Sequence, residues 1–136
     1  MTVATVLAAI QNEADDALSA AAPTYPPESI MDGGPMIITV PASAKSFVHG
    51  DGDTELLEAW TLQVHFNRAN ADLGTVVAAA APFFEDFITQ CRNNPTLTAV
   101  VETVFAEEME GTFGAMKYGD MDTLGWSIVI HTKRRI

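Results

Sequence analysis

Val3, Val6, Leu7, Ile10, Ala14 and Leu18 recur at the spacing of one helix face, while Gln11, Asn12, Glu13, Asp15, Asp16 and Ser19 fill the remaining positions. Steps of three and four residues predict an amphipathic helix that packs on one side. Thr2 or Thr5 supplies its cap. The helix is expected to end near residues 20–22, because Pro23, Pro26 and Pro27 lack a backbone donor and hold the residues before them extended. Residues 23–35 then read as an ordered Pro/Gly-rich connection or arm, too broken for a regular element and too short for a domain linker.

Beyond this connection the period shortens to two. Residues 36–40 have strand character, ended or edged by Pro41, residues 45–49 form a weaker second strand, and residues 50–53 make a turn or loop. The clearest strand covers residues 55–68. Its one face carries Leu56, Trp60, Leu62, Val64 and Phe66 with Glu58 as the exception, and its other face carries Leu57, Ala59, Thr61, Gln63, His65 and Asn67. Asp72 caps a second helix whose apolar side is Leu73, Val76, Val77, Ala80, Phe84, Phe87, Ile88 and Cys91. Pro82 kinks that helix or restarts it, and Asn93-Asn94-Pro95 ends it. Extended segments follow at residues 99–106, with Val101, Thr103 and Phe105 alternating, and at 124–133, with Trp126, Ile128 and Ile130 on one face. Between them, residues 107–123 are acidic and punctuated by glycine, a hairpin arm built on Met109, Phe113, Met116 and Tyr118. Strands in runs with helices to one side predict a single α+β domain over residues 1–136, with a mostly antiparallel sheet and the N-terminal and central helices packed on one side of it.

Composition supports one folded core. The chain has 136 residues, 48% hydrophobic and 18% charged, which suits burial and not disorder. No apolar run approaches the roughly 20 residues of a membrane span, and no basic residue precedes Lys45, so neither a span nor a signal peptide is expected. The net charge is −11, and three of the seven bases are Lys133, Arg134 and Arg135. A surface this negative repels a phosphate backbone, which disfavours nucleic-acid binding outside that short basic end. The lone Cys91 excludes an intramolecular disulfide and fits a reducing compartment.

Candidate chemistry is sparse. Cys91 falls on an apolar helix side, where a thiol is an inert hydrophobe. His65 and His131 lie on the less apolar faces of two strands and His49 beside a third, with Asp51 or Asp53 as conceivable third ligands, but no zinc spacing is present. Asp51, Asp53 and Glu55 resemble the first half of a calcium loop, whose twelfth position here is Leu62 in place of a bidentate glutamate. The acids of residues 107–122 read more simply as a solvated arm than as a cation site. No phosphate-binding, dinucleotide or nucleophile-elbow motif occurs. No catalytic residue, cofactor or metal is assigned, and an enzyme is not expected. The apolar side chains Tyr25, Ile30, Met31, Phe47, Met109, Phe113 and Tyr118 fall in connections or arms. They are candidates for subunit contacts, or else fold back over their own sheet.

The order of elements carries one further implication. It runs from an N-terminal amphipathic helix and a Pro-rich connection to a strand opening at Pro35-Met36-Ile37-Ile38 and a long strand through Trp60 to Arg68. A helix from Asp72 to Asn94 follows, and the closing strand pair ends in Gly125-Trp126-Ser127-Ile128-Val129-Ile130. Together with the step Asn67-Arg68-Ala69-Asn70-Ala71-Asp72 into the helix, Asn94-Pro95 after it and Leu124-Gly125 before the last strand, this layout resembles the tail terminator (tail-completion) proteins of long-tailed bacteriophages over nearly the whole chain. The resemblance implies a structural virion protein, assembled in the host cytoplasm, that forms a hexameric ring at the head-proximal end of the tail. Such a ring caps the tube protein and joins it to a neck or head-closure protein, with DNA passing through and no catalytic motif to transfer. In such a ring an acidic lumen would let DNA slide, which makes Glu107, Glu108, Glu110, Asp120 and Asp122 candidates for the channel lining. Lys133-Arg134-Arg135 would then lie outside the lumen and pair with acids of a neighbouring subunit or of the tube. The alternatives are a head-closure or neck protein of the same particle, and a small α+β enzyme or ligand-binding domain.

Overall fold

The computed structural model describes residues 3–17, 36–48, 52, 54–67, 73–119 and 121–135. Helix α1 (Val3–Ala17) buries Val6, Ile10, Ala14 and Ala17 and half-buries Leu7, as its spacing predicts. Val3 at its exposed start contributes little to the core, and Leu18 lies outside the described residues. Gln11 and Glu13, both expected on the solvent side, are buried as well, because a second helix packs beside that flank of α1.

Strands β1 (Met36–Val48) and β2 (Thr54–Asn67) form an antiparallel hairpin. Pro41 does not divide β1. Pro41 pairs with Trp60 and Ser43 with Ala59, so a bulge at Ala42 takes up one residue and the two expected short strands become one. The proline is tolerated because β1 pairs only with β2 and is an edge strand.

The central helix is broken. Helix α2 (Leu73–Ala80) stops at Ala81, whose N–H still donates to Val77 O, and α3 (Phe83–Asn93) restarts after Pro82. Pro82 thus occupies a helix start, where its missing donor costs nothing. The buried side continues across the break at steps of three and four, Ala80, Phe83, Phe87 and Cys91, so Phe83, absent from the expected apolar side, belongs to it, while Val77 is 36% exposed. Phe83 stacks on Phe87 with ring centroids 5.7 Å apart.

The C-terminal half closes the sheet. Residues 95–100 are turn, and only Thr103–Val104 of the expected strand over 99–106 is extended, as β3. A 3-10 turn (Ala106–Glu108) leads to β4 (Glu110–Tyr118) and then to β5 (Met121–Arg135). The expected arm over 107–123 is therefore a sheet strand and its turn. Tyr118 pairs with Met121 across a two-residue turn in which Gly119 has φ +58°, a conformation glycine adopts without strain. The strand order is β1-β2-β5, with β4 and β3 in succession along the far side of β5, and every ladder is antiparallel.

The helices cover one face of this sheet. Ile37, Trp60, Leu62, Val64, Phe66, Leu124, Ile128 and Ile130 meet Val6, Ile10, Ala80, Phe83 and Phe87 in one core. Trp126 stands on the same face, between Phe84 (centroids 5.1 Å apart) and Phe113 (5.0 Å), and its Nε1 donates to Ala80 O at 2.8 Å. A side chain at Gly111 would come within 3.1 Å of the Phe84 ring, so glycine there lets α3 lie over β4. The opposite face is open across its middle, where Val40 is 46% exposed and Thr61, Gln63, Ser127 and Val129 are half-buried. The chain is thus an α+β fold, an antiparallel sheet with its N-terminal and central helices on one side.

Candidate functional site

The end of the sheet where β1, β2 and β5 finish concentrates charge. Register puts Glu58 opposite Thr132 on the helix-covered face and Glu55 opposite Arg135 on the other. The apolar face of β2 is therefore interrupted by a carboxylate, which Arg134 neutralises from the diagonal position. Its Nε lies 2.5 Å from Glu58 Oε1 and its Nη2 donates to Oε2 at 3.3 Å, with both side chains about nine-tenths buried or more. Trp60 Nε1 donates to Thr132 Oγ1 at 2.8 Å beside this pair. On the other face Lys133 Nζ lies 3.1 Å from Glu55 Oε2 and 3.6 Å from Glu102 Oε2, and Arg135 Nε donates to Glu102 Oε1 at 3.0 Å. Glu55 stands first among the causes that raise the Lys133 pKa.

All three cations of the basic end are engaged by carboxylates of their own chain. The alternation of β5 explains the arrangement, since consecutive residues point to opposite faces and find Glu58 on one and Glu55 with Glu102 on the other.

A second polar cluster ties α1 to α3. Glu13 Oε1 accepts from Asn94 Nδ2 at 2.5 Å, and the same Asn94 nitrogen donates to Thr98 Oγ1 at 3.1 Å. Asn94 Oδ1 accepts from the Thr98 N–H at 2.9 Å. Burial raises the Glu13 pKa, which the Asn94 hydrogen bond only partly offsets. The adjacent Cys91 thiol is pushed up to about 12 by burial and by the Glu13 charge, which makes it inert as a nucleophile. The residues that follow, Leu97, Thr98 and Ala99, all have positive φ (51°, 59° and 65°), one left-handed turn closed by the Val100 N–H on Thr96 O.

His65 and His131 do not meet. His131 pairs with Ala59 and His65 with Gly125, six residues apart along the ladder or roughly 20 Å at strand rise. His49, Asp51 and Asp53 lie outside the described residues. His65 is buried. Gln63 Oε1 can only accept, so His65 Nε2 donates to it (3.1 Å) and Nδ1 accepts from the Thr123 hydroxyl (2.7 Å), while burial lowers the His65 pKa. Among the described residues no three His, Cys, Asp or Glu side chains gather to hold a metal, and no helix is long and apolar enough to cross a membrane.

A shallow groove of ≈ 480 Å³ crosses the open face at the β1 bulge. Ser43, Lys45, Leu57, Ala59, Phe105 and His131 line it.

No protein-family model matches the chain, and no curated protein matches it. The candidate contact residues are therefore placed by geometry alone. Met109 and Phe113 pack against the chain's own core, Phe113 on Trp126. Phe47 and Tyr118 belong to β1 and β4, their side chains outside what is described, and Tyr25, Ile30 and Met31 lie wholly outside it.

Among the described candidate channel acids, Glu110 and Asp122 stand on opposite faces of the sheet. Glu107 is held by Arg92 through two hydrogen bonds (2.7 and 2.8 Å), and this partner lowers its pKa. Glu108 follows it in the 3-10 turn, exposed. Glu110 pairs with Val129 on the open face, Asp122 pairs with Lys117 on the opposite one, and Asp120 is outside the described residues. The buried pair Glu58–Arg134 was signalled in the sequence by the single acid on an apolar strand face. The Glu13–Asn94–Thr98 cluster had no such signal, because it depends on how α1 and the end of α3 meet, with Glu13 and Asn94 81 residues apart in sequence.

Proposed function

We propose that this chain is a ring-forming structural protein at the head-proximal end of a long phage tail, where it caps the tail tube and joins it to the neck. The observation that carries the reading is the architecture. The order helix, strand hairpin, helix, strand hairpin, on which the tail-terminator resemblance rests, is the order in one continuous sheet whose helices lie on a single face. Such a subunit leaves a sheet face and two sheet edges for assembly. Genome DNA passes through the ring without specific contacts, consistent with a chain of charge −11 whose described basic end is engaged internally.

The test is an image. Purified protein alone and mixed with tail tubes should give rings, or rings seated on tube ends, by negative-stain microscopy, with a solution mass to match. Protein that remains monomeric and ignores tube ends would overturn the reading. A ligand-binding role has one observation in its favour, the groove over Ala59. It predicts a monomer whose thermal transition rises with a small molecule present.

A further inference from the structure

The bulge at Ala42 decides which side chains of β1 reach the open face. Before it Val40 pairs with Thr61 and stands on that face, and after it Ser43 pairs with Ala59 and Lys45 with Leu57. Without the extra residue, strict alternation would turn Ser43 and Lys45 toward the helices. Bulges re-aim side chains in this way and are over-represented beside functional sites. Here both re-aimed residues line the groove of ≈ 480 Å³.

The row of Ser43 and Ala59 continues to His131 on β5. At about 4.8 Å per strand, the Cα atoms of Ser43 and His131 stand roughly 10 Å apart, which leaves room for one small molecule between them. Phe105 adjoins His131, because its N–H donates to His131 O at 3.0 Å, and Leu57, 36% exposed, lies in the next row. The groove therefore has an ammonium and a hydroxyl on its β1 side, rings on its β5 side and an aliphatic side chain along it, in a volume ordinary for a small-molecule site.

Charge narrows the ligand. Arg92, Lys117, Lys133, Arg134 and Arg135 are engaged by acids of the chain, whereas among the described residues no acid lies within ion-pair distance of Lys45. Glu108, exposed and also lining the groove, repels a second negative charge, and the net charge of −11 acts in the same sense. One negative charge is accommodated, and a dianion is not.

We propose that the groove at the β1 bulge binds a small aromatic monocarboxylate. Its carboxylate sits between the Lys45 ammonium and the Ser43 hydroxyl, both of which donate to it, and its ring lies along Leu57 toward His131 and Phe105. The inference rests on the ligand-binding reading of the groove and makes no use of the ring.

A titration followed by two-dimensional amide NMR, with naphthoate as the probe, tests it. Saturable shifts should gather at Ser43, Lys45, Leu57 and His131, with a dissociation constant of about 1 mM or lower. Naphthamide, which keeps the rings and lacks the charge, and acetate, which keeps the charge and lacks the rings, should each bind about tenfold more weakly or worse. Lys45→Gln should weaken naphthoate about tenfold, while Lys117→Gln, which removes the same charge from the opposite face, should change it by less than about twofold. Lys45 is exposed, so its replacement should leave the thermal transition where it is. Naphthamide or acetate binding as tightly as naphthoate, or Lys45→Gln binding like wild type, would overturn the proposal and leave a less selective ligand groove. Shifts centred away from these residues would overturn the site. No saturable shift with any of the three compounds would remove the proposal and the ligand-binding reading together, and microscopy of rings would still decide the ring.

Discussion

Burial shifts Glu13 and His65 in opposite senses. Glu13 is buried against α3, facing Cys91 and Asn94 there and Asp16 on its own helix, and burial raises its pKa above the ordinary 4.5. The folded state then holds this proton more tightly than the unfolded chain. Its contribution is greatest below the unfolded pKa and is lost as pH rises through the folded value. For His65, faced by Thr123 and Gln63, burial lowers the pKa below 6.5, so its contribution is present above 6.5 and is lost as pH falls through the folded value. Glu13→Gln keeps an acceptor for Asn94 and removes the buried charge. It should melt at a higher temperature than wild type at pH 7 and show the loss of stability below pH 6.5 that belongs to His65, read from thermal melts across pH. An unchanged melting temperature at pH 7 would mean that water reaches Glu13.

At the scale of elements, the turn after α3 holds a cost that no helix or strand shows. Leu97, Thr98 and Ala99 are all left-handed, which costs roughly 1–2 kcal/mol for each residue bearing a Cβ. Capping of the turn by Asn94, and burial of Leu97, offset that cost. Ala99 is exposed and donates only its N–H, to Thr96 Oγ1. Ala99→Gly should therefore stabilise the fold by about 1 kcal/mol in denaturant melts, the opposite of the usual effect of an added glycine. A loss of about 1 kcal/mol would show that the turn is not left-handed in solution. Nothing in Pro95-Thr96-Leu97-Thr98-Ala99 announces this conformation, since it depends on Asn94 reaching back to Glu13. Period-2 segments are legible for the opposite reason. The alternation of Trp60, Leu62, Val64 and Phe66, and of Leu124, Ile128 and Ile130, is imposed by one buried sheet face and reads directly. Helix phase is legible past Pro82, where the expected Phe87 and Cys91 are buried, while Val77 before it is exposed and Phe83, not on the expected side, is buried.

For the whole molecule, the distribution of charge decides more than its total. The net charge of −11 and the run Lys133-Arg134-Arg135 are both plain in the sequence, and a run of three bases ordinarily reads as a patch for phosphate. Strand geometry removes that option. Arg134 is buried against Glu58, and Lys133 and Arg135 share Glu55 and Glu102 on the other face. Which acids those would be was not legible, because Glu55, Glu58 and Glu102 reach β5 only through the pairing of β2 and the turn before β3. Separating Arg134 from Glu58 would leave a buried charge unpaired, at a cost of about 3–5 kcal/mol, so Arg134 is not released to a ligand. The protein should accordingly show no binding to a duplex even at about 50 mM salt, where contacts of three free cations would give a salt slope of roughly −2.7. Glu102→Gln, which frees part of Lys133 and Arg135 and leaves the buried pair intact, should bind measurably more than wild type in a fluorescence anisotropy titration. Wild-type binding with a slope near three counterions would mean that these carboxylates yield to phosphate, and that DNA in a ring of such subunits would be held instead of passing freely.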